Sequence, residues 1–339
     1  MTFNFLCTSN NSSYLNEFSF ISELTLQPLN LTYQTSSQLL KKNKPKDTNF
    51  QKIEIYTKYN KNNIPNFINL NFFSIKISSK TESTIIFLVN ESQKEKKKSI
   101  LYIQENNCDI GTQLPFLIDL SIQLKLDIIS FDYSNRGKKI NIKNLYNDID
   151  SVMEFINKQL NIKPKNLIIF SNGIGAIPAC YISSKEEYLN LFRLILISPL
   201  FDQKTIKLLK EINCNTYLIQ EKKNKKINHI HISKYCHLIK NIYEWFPKEE
   251  NFQKVLENKR CKFYCKIKNF IFNSPKSSHL NLSYNLSNES NQTLCSSPHT
   301  LVKIDEDKDE EGDFYLNQSI YAYQKSNVFS DEEDVDCNE

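Results

Sequence analysis

Five residues near the middle of the chain have the spacing of a turn that presents a catalytic nucleophile: Ser171-Asn172-Gly173-Ile174-Gly175. In the motif G-x-S-x-G, a serine sits at the tip of a strained strand-to-helix turn with its hydroxyl exposed. Here Gly173 occupies the tip, so the turn chemistry is present without a nucleophilic side chain. Acyl transfer at a serine also requires a histidine base, an acid that orients the histidine, and two backbone N–H groups for the oxyanion. Candidates for these roles must come from the ends of neighbouring strands.

Short apolar runs that alternate with helical patterns surround this turn. Residues 167–170 suit a strand buried on both faces, and the apolar stretch at 174–181 suits a helix packed on a sheet. Further strands are predicted at 72–77, 84–89, 100–103, 127–131, 194–197 and 217–219, and helices at 116–124, 145–160 and 251–272. The first two of these strands are expected to be antiparallel neighbours. The alternation predicts an α/β fold with a mostly parallel central sheet, helices on both faces, and a site beyond the carboxyl ends of the strands.

The sequence pattern divides the chain into three parts. Residues 1–50 form a polar N-terminal extension, and residues 51–272 carry the strand and helix patterns. Residues 273–339 form a tail rich in Ser, Asn and acidic residues, which is expected to be mostly disordered apart from a candidate ordered patch at 314–323.

Composition narrows the classes of function. A formal net charge of +5 over 339 residues gives no reason to expect a nucleic acid partner. The nine cysteines include no C-x-x-C pair, and Cys261 and Cys265 have no zinc-like partners, so we expect reduced thiols and no metal or other cofactor. No apolar run reaches the ~18 residues of a membrane span, and the N-terminus lacks a secretory signal pattern. We therefore expect a cytoplasmic protein with at most peripheral membrane contact.

Several further motifs stand in order around the turn: Asn106-Asn107-Cys108-Asp109-Ile110-Gly111, Phe131-Asp132-Tyr133-Ser134, Asn144-Leu145-Tyr146-Asn147-Asp148-Ile149-Asp150 and Ser198-Pro199-Leu200. Together they resemble the α/β-hydrolase-domain serine hydrolases, in the serine-aminopeptidase-like branch whose animal members include protein depalmitoylases. The resemblance covers roughly residues 23–272. It implies the α/β-hydrolase fold.

The resemblance assigns the catalytic roles position by position. The family's nucleophile falls on Gly173, its acid on Asn224 and its histidine base on Asn251. The oxyanion-loop positions fall on three residues: Glu105, Asn106 and Ile174. A carboxylate at Glu105 would oppose a developing negative charge rather than stabilise it. The resemblance therefore implies a degenerate site in a pseudo-hydrolase that acts by binding.

Glycine usage points in the same direction. Active members of the family use glycine at the oxyanion loop, the acid loop and the histidine turn, where backbone approaches substrate closely or adopts positive φ. These positions hold Glu105, Glu221 and Glu250 here, while Gly111 and Gly175, which serve packing and turning, are present.

The alternative is an active serine esterase or thioesterase whose catalytic residues have moved. Ser171 and Cys180 are candidates for a displaced nucleophile. Strand alternation directs Ser171 away from the tip, and Cys180 is expected to be buried in a helix, where thiols are inert. His229 and His231 lie nearest to the carboxyl edge of the sheet, and a structural role is expected for both.

A lysine cluster replaces the family's acid loop: Lys222, Lys223, Lys225 and Lys226. It could hold a phosphate, an acidic peptide or an anionic membrane surface, although a solvated loop is the favoured explanation. A third hypothesis combines this cluster with the basic residues at 41–46 in an anionic-surface binder. The partners to consider are a protein, an acyl ligand or an anionic ligand, and the sequence does not determine an oligomeric state.

Overall fold

The computed structural model describes the chain in ten segments, within which every structural statement below is made. These are residues 33–35, 50–57, 64–79, 81–92, 98–106, 108–135, 138–225, 227, 229–273 and 302–303.

The described part of the chain contains twelve strands and six α-helices. The strands are β1 (Tyr33–Thr35), β2 (Phe50–Ile53), β3 (Ile55–Thr57), β4 (Ile68–Lys76), β5 (Glu82–Asn90), β6 (Ser99–Ile103), β7 (Asp127–Phe131), β8 (Leu167–Asn172), β9 (Arg193–Ile197), β10 (Thr216–Ile219), β11 (Ile242–Trp245) and β12 (Val302–Lys303). The helices are α1 (Ile110–Leu124), α2 (Ile142–Lys158), α3 (Ala176–Ser183), α4 (Gln203–Leu208), α5 (His229–Cys236) and α6 (Phe252–Phe272). Every strand and helix predicted from the apolar patterns is present, although α1 begins six residues and β4 four residues before the predicted start.

Ten of the strands form one sheet in the order β12-β11-β10-β9-β8-β6-β7-β5-β4-β2. The strands from β7 through β6, β8, β9, β10, β11 and β12 run parallel to one another, whereas β5 is antiparallel to both β7 and β4. The central strands β6, β7 and β8 are buried along their whole length. Continuous apolar strands of this kind need cover on both faces of the sheet, and helices supply it.

The helices divide between the two faces. On one face, α2, α3, α4 and α5 cover a core to which alternate residues such as Leu101 and Ile103 contribute. On the other face, α1 and α6 pack side by side, and Arg260 and Tyr264 of α6 both donate hydrogen bonds to the buried Asp119 of α1. Because side chains alternate along a strand, one set of strands serves both cores.

The inward faces of two helices agree with the sequence patterns. Leu145, Ile149, Val152, Met153 and Ile156 of α2 are buried, as the spacing predicts. The six apolar residues predicted to face inward on α6 are also buried: Val255, Leu256, Phe263, Ile267, Phe270 and Ile271.

Short strands lie in both terminal segments. Tyr33–Thr35 of the N-terminal extension pairs antiparallel with β3. In the tail, where little structure was expected, Val302–Lys303 pairs parallel with β11. An edge strand exposes unpaired N–H and C=O groups, and even two residues of added backbone satisfy some of them. The basic stretch at 41–46 and the patch at 314–323 lie outside the described residues.

Candidate functional site

The turn between β8 and α3 stands at the carboxyl edge of the sheet. Gly173 has φ +56°, a left-handed conformation that glycine adopts without steric cost, and its carbonyl accepts a hydrogen bond of 3.0 Å from the N–H of Leu200. Two residues on, a Cβ atom at Gly175 would lie only 2.4 Å from the carbonyl oxygen of Ile103, the last residue of β6. The two glycines therefore allow the turn to pack directly on the neighbouring strand.

The loop that follows β6 covers the tip of this turn. A Cβ atom placed on Gly173 would lie 3.3 Å from Cβ of Glu105, so the two positions are in contact. The loop is fixed from both sides: Gln104 Nε2 donates to Asp132 Oδ1 at 2.9 Å, and the Gln104 carbonyl accepts a 2.8 Å bond from the Tyr133 hydroxyl. Glu105 is thereby held over the place where a nucleophile would stand.

A thiol accompanies the Glu105 carboxylate. Sγ of Cys108 lies 3.4 Å from Glu105 Oε1 and donates to it. Burial, and then the negative charge of Glu105, raise the pKa of Cys108 to about 12. A thiol with such a pKa is protonated at neutral pH and is a poor nucleophile. Sequence reasoning did not select Cys108 as a site residue, because the motif that contains it shows no pattern of a nucleophile or a metal ligand.

A second buried carboxylate fills the loop after β10. Glu221 is fully buried, and its two carboxylate oxygens accept hydrogen bonds of 2.7 and 2.8 Å from the hydroxyl of Ser198. Gln220 Nε2 at 3.2 Å and Asn224 Nδ2 at 3.0 Å complete a set of neutral donors around it. Ser198 itself has φ +43°, which is uncommon for a residue other than glycine. These hydrogen bonds hold the Glu221 side chain in one position at the edge of the sheet.

Sequence reasoning treated Glu221 only as the position of an absent glycine and missed its pairing with Ser198. The available signal was a carboxylate two residues after the buried strand Thr216–Ile219, at the edge where the family places its acid. The hydroxyl partner could not be found in this way because it lies 23 positions away along the chain.

The two asparagines assigned to the acid and base positions make local hydrogen bonds. Asn224 bonds to Glu221, and its Oδ1 accepts from the N–H of Ile227 at 3.1 Å. Asn251 is the N-cap of α6, with Oδ1 accepting from the N–H of Lys254 at 2.9 Å. N-capping is a structural task that asparagine performs well.

The candidates for a displaced nucleophile lie away from the tip. The Ser171 hydroxyl is buried and donates to the carbonyl of Ile195 on the adjacent strand at 3.3 Å. Cys180 is fully buried in α3, where burial raises its pKa well above the usual range. Both observations agree with the sequence pattern, which directs Ser171 away from the tip and places Cys180 in a buried helix.

Within the described part of the chain, the histidines belong to α5 and the turn after it. His229 lines an open cavity of about 330 Å³ together with Ser233, Lys234 and Phe246, and His237 is exposed. The side chain of His231 lies outside the described residues.

Three lysines of the predicted cluster are exposed at the same edge of the sheet: Lys222, Lys223 and Lys225. Lys226 lies outside the described residues. The N–H groups of Lys222 and Lys223 donate to the carbonyls of Pro247 and Glu249 at 2.7 and 3.2 Å. These bonds join the loop after β10 to the loop after β11, the two loops to which the family resemblance assigns the acid and the base.

The described residues contain no group of three or more His, Cys, Asp or Glu side chains arranged to hold a metal ion. None of their helices combines the length and the apolar character that crossing a bilayer requires.

Comparison with solved structures identifies the architecture. A crystal structure of the esterase Pf2001 from Pyrococcus furiosus matches with a TM-score of 0.50 over 60% of this chain and 91% of the esterase, at 10% sequence identity. The protein has the α/β-hydrolase fold. At this identity the likeness to the esterase concerns the fold alone, and the prediction of fold class from the sequence is confirmed.

Comparison with curated proteins finds similar sequences among α/β hydrolase domain-containing proteins. The human 17C protein is 32% identical over 105 residues, which are 30% of this chain and 31% of the relative. The 17B protein of Xenopus laevis is 33% identical over 94 residues, which are 27% of this chain and 33% of the relative. The match thus spans about a third of the length of these relatives, and no protein-family profile matches the chain. The predicted resemblance to this family is confirmed.

Proposed function

We propose that this chain is a pseudo-hydrolase, a protein with the α/β-hydrolase fold that acts by binding rather than by hydrolysis. The observation that carries the proposal is the contact between Gly173 and Glu105 at the tip of the turn. An acyl-transfer site needs a nucleophile at this point and hydrogen-bond donors beside it. Here the tip has no side chain, and the Cβ of Glu105 in the oxyanion loop lies against it.

Electrostatics add to the argument. The tetrahedral intermediate of ester hydrolysis develops a negative charge on the carbonyl oxygen of the substrate, next to the tip. The carboxylate of Glu105 lies in the oxyanion loop, where a second negative charge raises the energy of that intermediate. The thiol of Cys108 donates to Glu105 without neutralising its charge.

The acid and base positions support the same proposal. The amide of Asn224 carries no negative charge with which to orient a histidine. The side-chain oxygen of Asn251 accepts the capping hydrogen bond of α6. The carboxylate present in that region, Glu221, is fully buried and bonded to Ser198. Neither asparagine side chain is a general base, so neither replaces the histidine of an acyl-transfer site.

One observation favours a second candidate, hydrolysis with displaced residues. Ser198 and Glu221 form a hydroxyl–carboxylate pair at 2.7 Å at the carboxyl ends of β9 and β10. A carboxylate can act as a general base. Because Ser198 is 7% exposed and Glu221 is fully buried, substrate would reach the pair only after the loops moved.

A fluorophosphonate probe and a thioester substrate distinguish the two candidates. The purified full chain is treated with the probe beside its Ser198→Ala and Ser171→Ala variants and an active serine esterase as positive control. We expect no labelling of the wild-type chain and no thioester hydrolysis above the rate of heat-denatured protein. Labelling that disappears in Ser198→Ala or Ser171→Ala, together with turnover, would establish the hydrolase and reject the pseudo-hydrolase.

The exposed lysines of the loop after β10 suggest which kind of partner this edge of the sheet binds. Lys222, Lys223 and Lys225 give this edge a positive charge suited to an acidic protein segment or an anionic ligand. We propose no nucleic acid partner and no cofactor, and we place the protein in the cytoplasm. Replacing the three lysines by glutamine is expected to weaken binding to immobilised anionic ligands, measured as a loss of salt-dependent retention.

A further inference from the structure

The second part of α6 exposes side chains that are usually buried. A kink at Lys259 divides the helix, and beyond it the thiols of Cys261 and Cys265 are both free and exposed. Phe272 is 54% exposed. Cysteine and phenylalanine are among the residues most often buried in proteins. Positions 261, 265, 268 and 272 follow one another at helical spacing, so these side chains share one outward stripe together with Lys268.

Positive charge surrounds this stripe. Residues 260–272 contain four basic side chains and no acidic one. The neighbouring helix α1 has a single carboxylate, Asp119, which is buried and ion-paired with Arg260. In the first part of α6, Glu257 forms an ion pair with Lys254 at 2.7 Å. The face formed by α1 and α6 therefore presents exposed thiols and an aromatic ring in a positive field.

Three ordinary roles for paired thiols fit this stripe poorly. Side chains one helical turn apart have Cβ atoms about 5–6 Å from each other, whereas a disulfide needs about 3.5–4.5 Å. A structural zinc site needs four ligands, and the described residues offer no group of even three around these thiols. A disulfide-linked dimer would bring two positively charged α6 helices together, which like-charge repulsion opposes.

We propose that Cys261 and Cys265 form a tandem S-acylation site that holds the α1–α6 face on an anionic membrane. Each thiolate attacks the thioester carbonyl of a long-chain acyl-CoA. A new sulfur–acyl bond forms, the thioester bond to coenzyme A breaks, and coenzyme A leaves as a thiolate that takes up the proton lost by the cysteine thiol. A single acyl chain gives weak and reversible membrane binding, while two chains hold a protein stably.

The other side chains of the stripe suit the same surface. Lysines bind the headgroups of anionic lipids, and an exposed phenylalanine such as Phe272 can enter the boundary between headgroups and acyl chains. A 13-residue helical segment is about 20 Å long, enough to place two acyl chains and an aromatic ring on one membrane surface. The inference does not depend on whether the protein hydrolyses a substrate.

Vesicle binding tests the charged surface before any acylation. The unmodified full chain is mixed with vesicles of equimolar phosphatidylserine and phosphatidylcholine, or of phosphatidylcholine alone, and the bound fraction is measured by co-sedimentation. We expect binding to the anionic vesicles that falls with salt, and a loss of about fivefold for Lys268→Gln, the exposed lysine of the stripe. Lys143→Gln, an exposed lysine on α2 at the opposite face, is the matched control and should bind like the wild type. No binding to the anionic vesicles, equal losses in the two variants, or equal binding to neutral vesicles would overturn the proposal.

Metabolic labelling tests the acylation itself. Cys7, near the start of the sequence, could also accept an acyl chain, so it is replaced by serine in every variant. The full chain carrying Cys7→Ser is expressed in a eukaryotic host supplied with an alkyne-tagged palmitate, and the label is detected before and after neutral hydroxylamine. We expect hydroxylamine-sensitive label in the membrane fraction, reduced in Cys261→Ser and in Cys265→Ser and lost in the double variant, which should move to the soluble fraction. No label on Cys261 or Cys265, label unchanged in the double variant, or disulfide-linked dimers in place of label would each reject the site.

Discussion

The close approach of the β8–α3 turn to β6 can be tested with one added methyl group. A Cβ at Gly175 would lie 2.4 Å from the carbonyl oxygen of Ile103 and 3.0 Å from its carbonyl carbon and Cγ2. Two of these atoms belong to the backbone of a central strand, which cannot rotate away as a flexible side chain can. Overpacking typically costs about 1–3 kcal/mol, so Gly175→Ala should lower the free energy of unfolding by about 3 kcal/mol.

Gly173→Ala is the matched control, because it adds the same methyl group to the same turn. Its Cβ would meet Cβ of Glu105 at 3.3 Å, a contact that small shifts can relieve. The left-handed backbone at φ +56° is the main cost, about 1–2 kcal/mol for a residue with a Cβ atom. Gly173→Ala should therefore be the milder of the two substitutions.

Urea unfolding measures the change in stability, and tryptophan fluorescence follows the transition. Trp245 is the single tryptophan, and it is buried at the end of β11. With an m-value of about 3 kcal/mol/M, Gly175→Ala should lower the urea midpoint by about 1 M and Gly173→Ala by about half as much. A midpoint for Gly175→Ala equal to or above that for Gly173→Ala would refute the packing of this turn on β6.

Three further predictions concern other buried groups. Replacing Asp119 by Ala removes the carboxylate to which Arg260 and Tyr264 donate, and it should lower the free energy of unfolding in urea by about 2–3 kcal/mol. The cost is smaller than for a fully buried ion pair because the Arg260 side chain is partly exposed. Glu221→Ala should cost about 1–3 kcal/mol because its buried donors lose their acceptor, whereas the exposed Glu250→Ala should be nearly neutral; equal effects would contradict the buried network. Because burial and a neighbouring carboxylate raise the pKa of Cys108 to about 12, its neutral thiol stabilises the fold below about pH 8.5, and this contribution is lost as pH rises toward 12. Cys108→Ala should flatten the alkaline decline in stability, and peptide mapping after brief iodoacetamide treatment at neutral pH should find Cys261 modified well before Cys108.

Much of the fold could be predicted from the sequence because its signals are local. Apolar runs, helical spacing and N-caps act within a few residues, and Asn251 capping α6 is an example. The start and end of α6 and its inward face were predictable for this reason. The pairing of Val302–Lys303 with β11 was not, because a two-residue strand has no pattern of its own and depends on an edge supplied by another part of the chain.

The sequence by itself determined the strand–turn–helix around Gly173, the absence of a nucleophilic side chain at its tip, and the basic character of α6. The tertiary structure alone decided that Glu105 stands over Gly173, 68 positions away, and that Ser198 bonds to Glu221. The physical reason is the parallel sheet, whose crossovers bring the carboxyl ends of distant strands to one edge. Residue types follow from the chain, but their contacts at that edge follow from strand order.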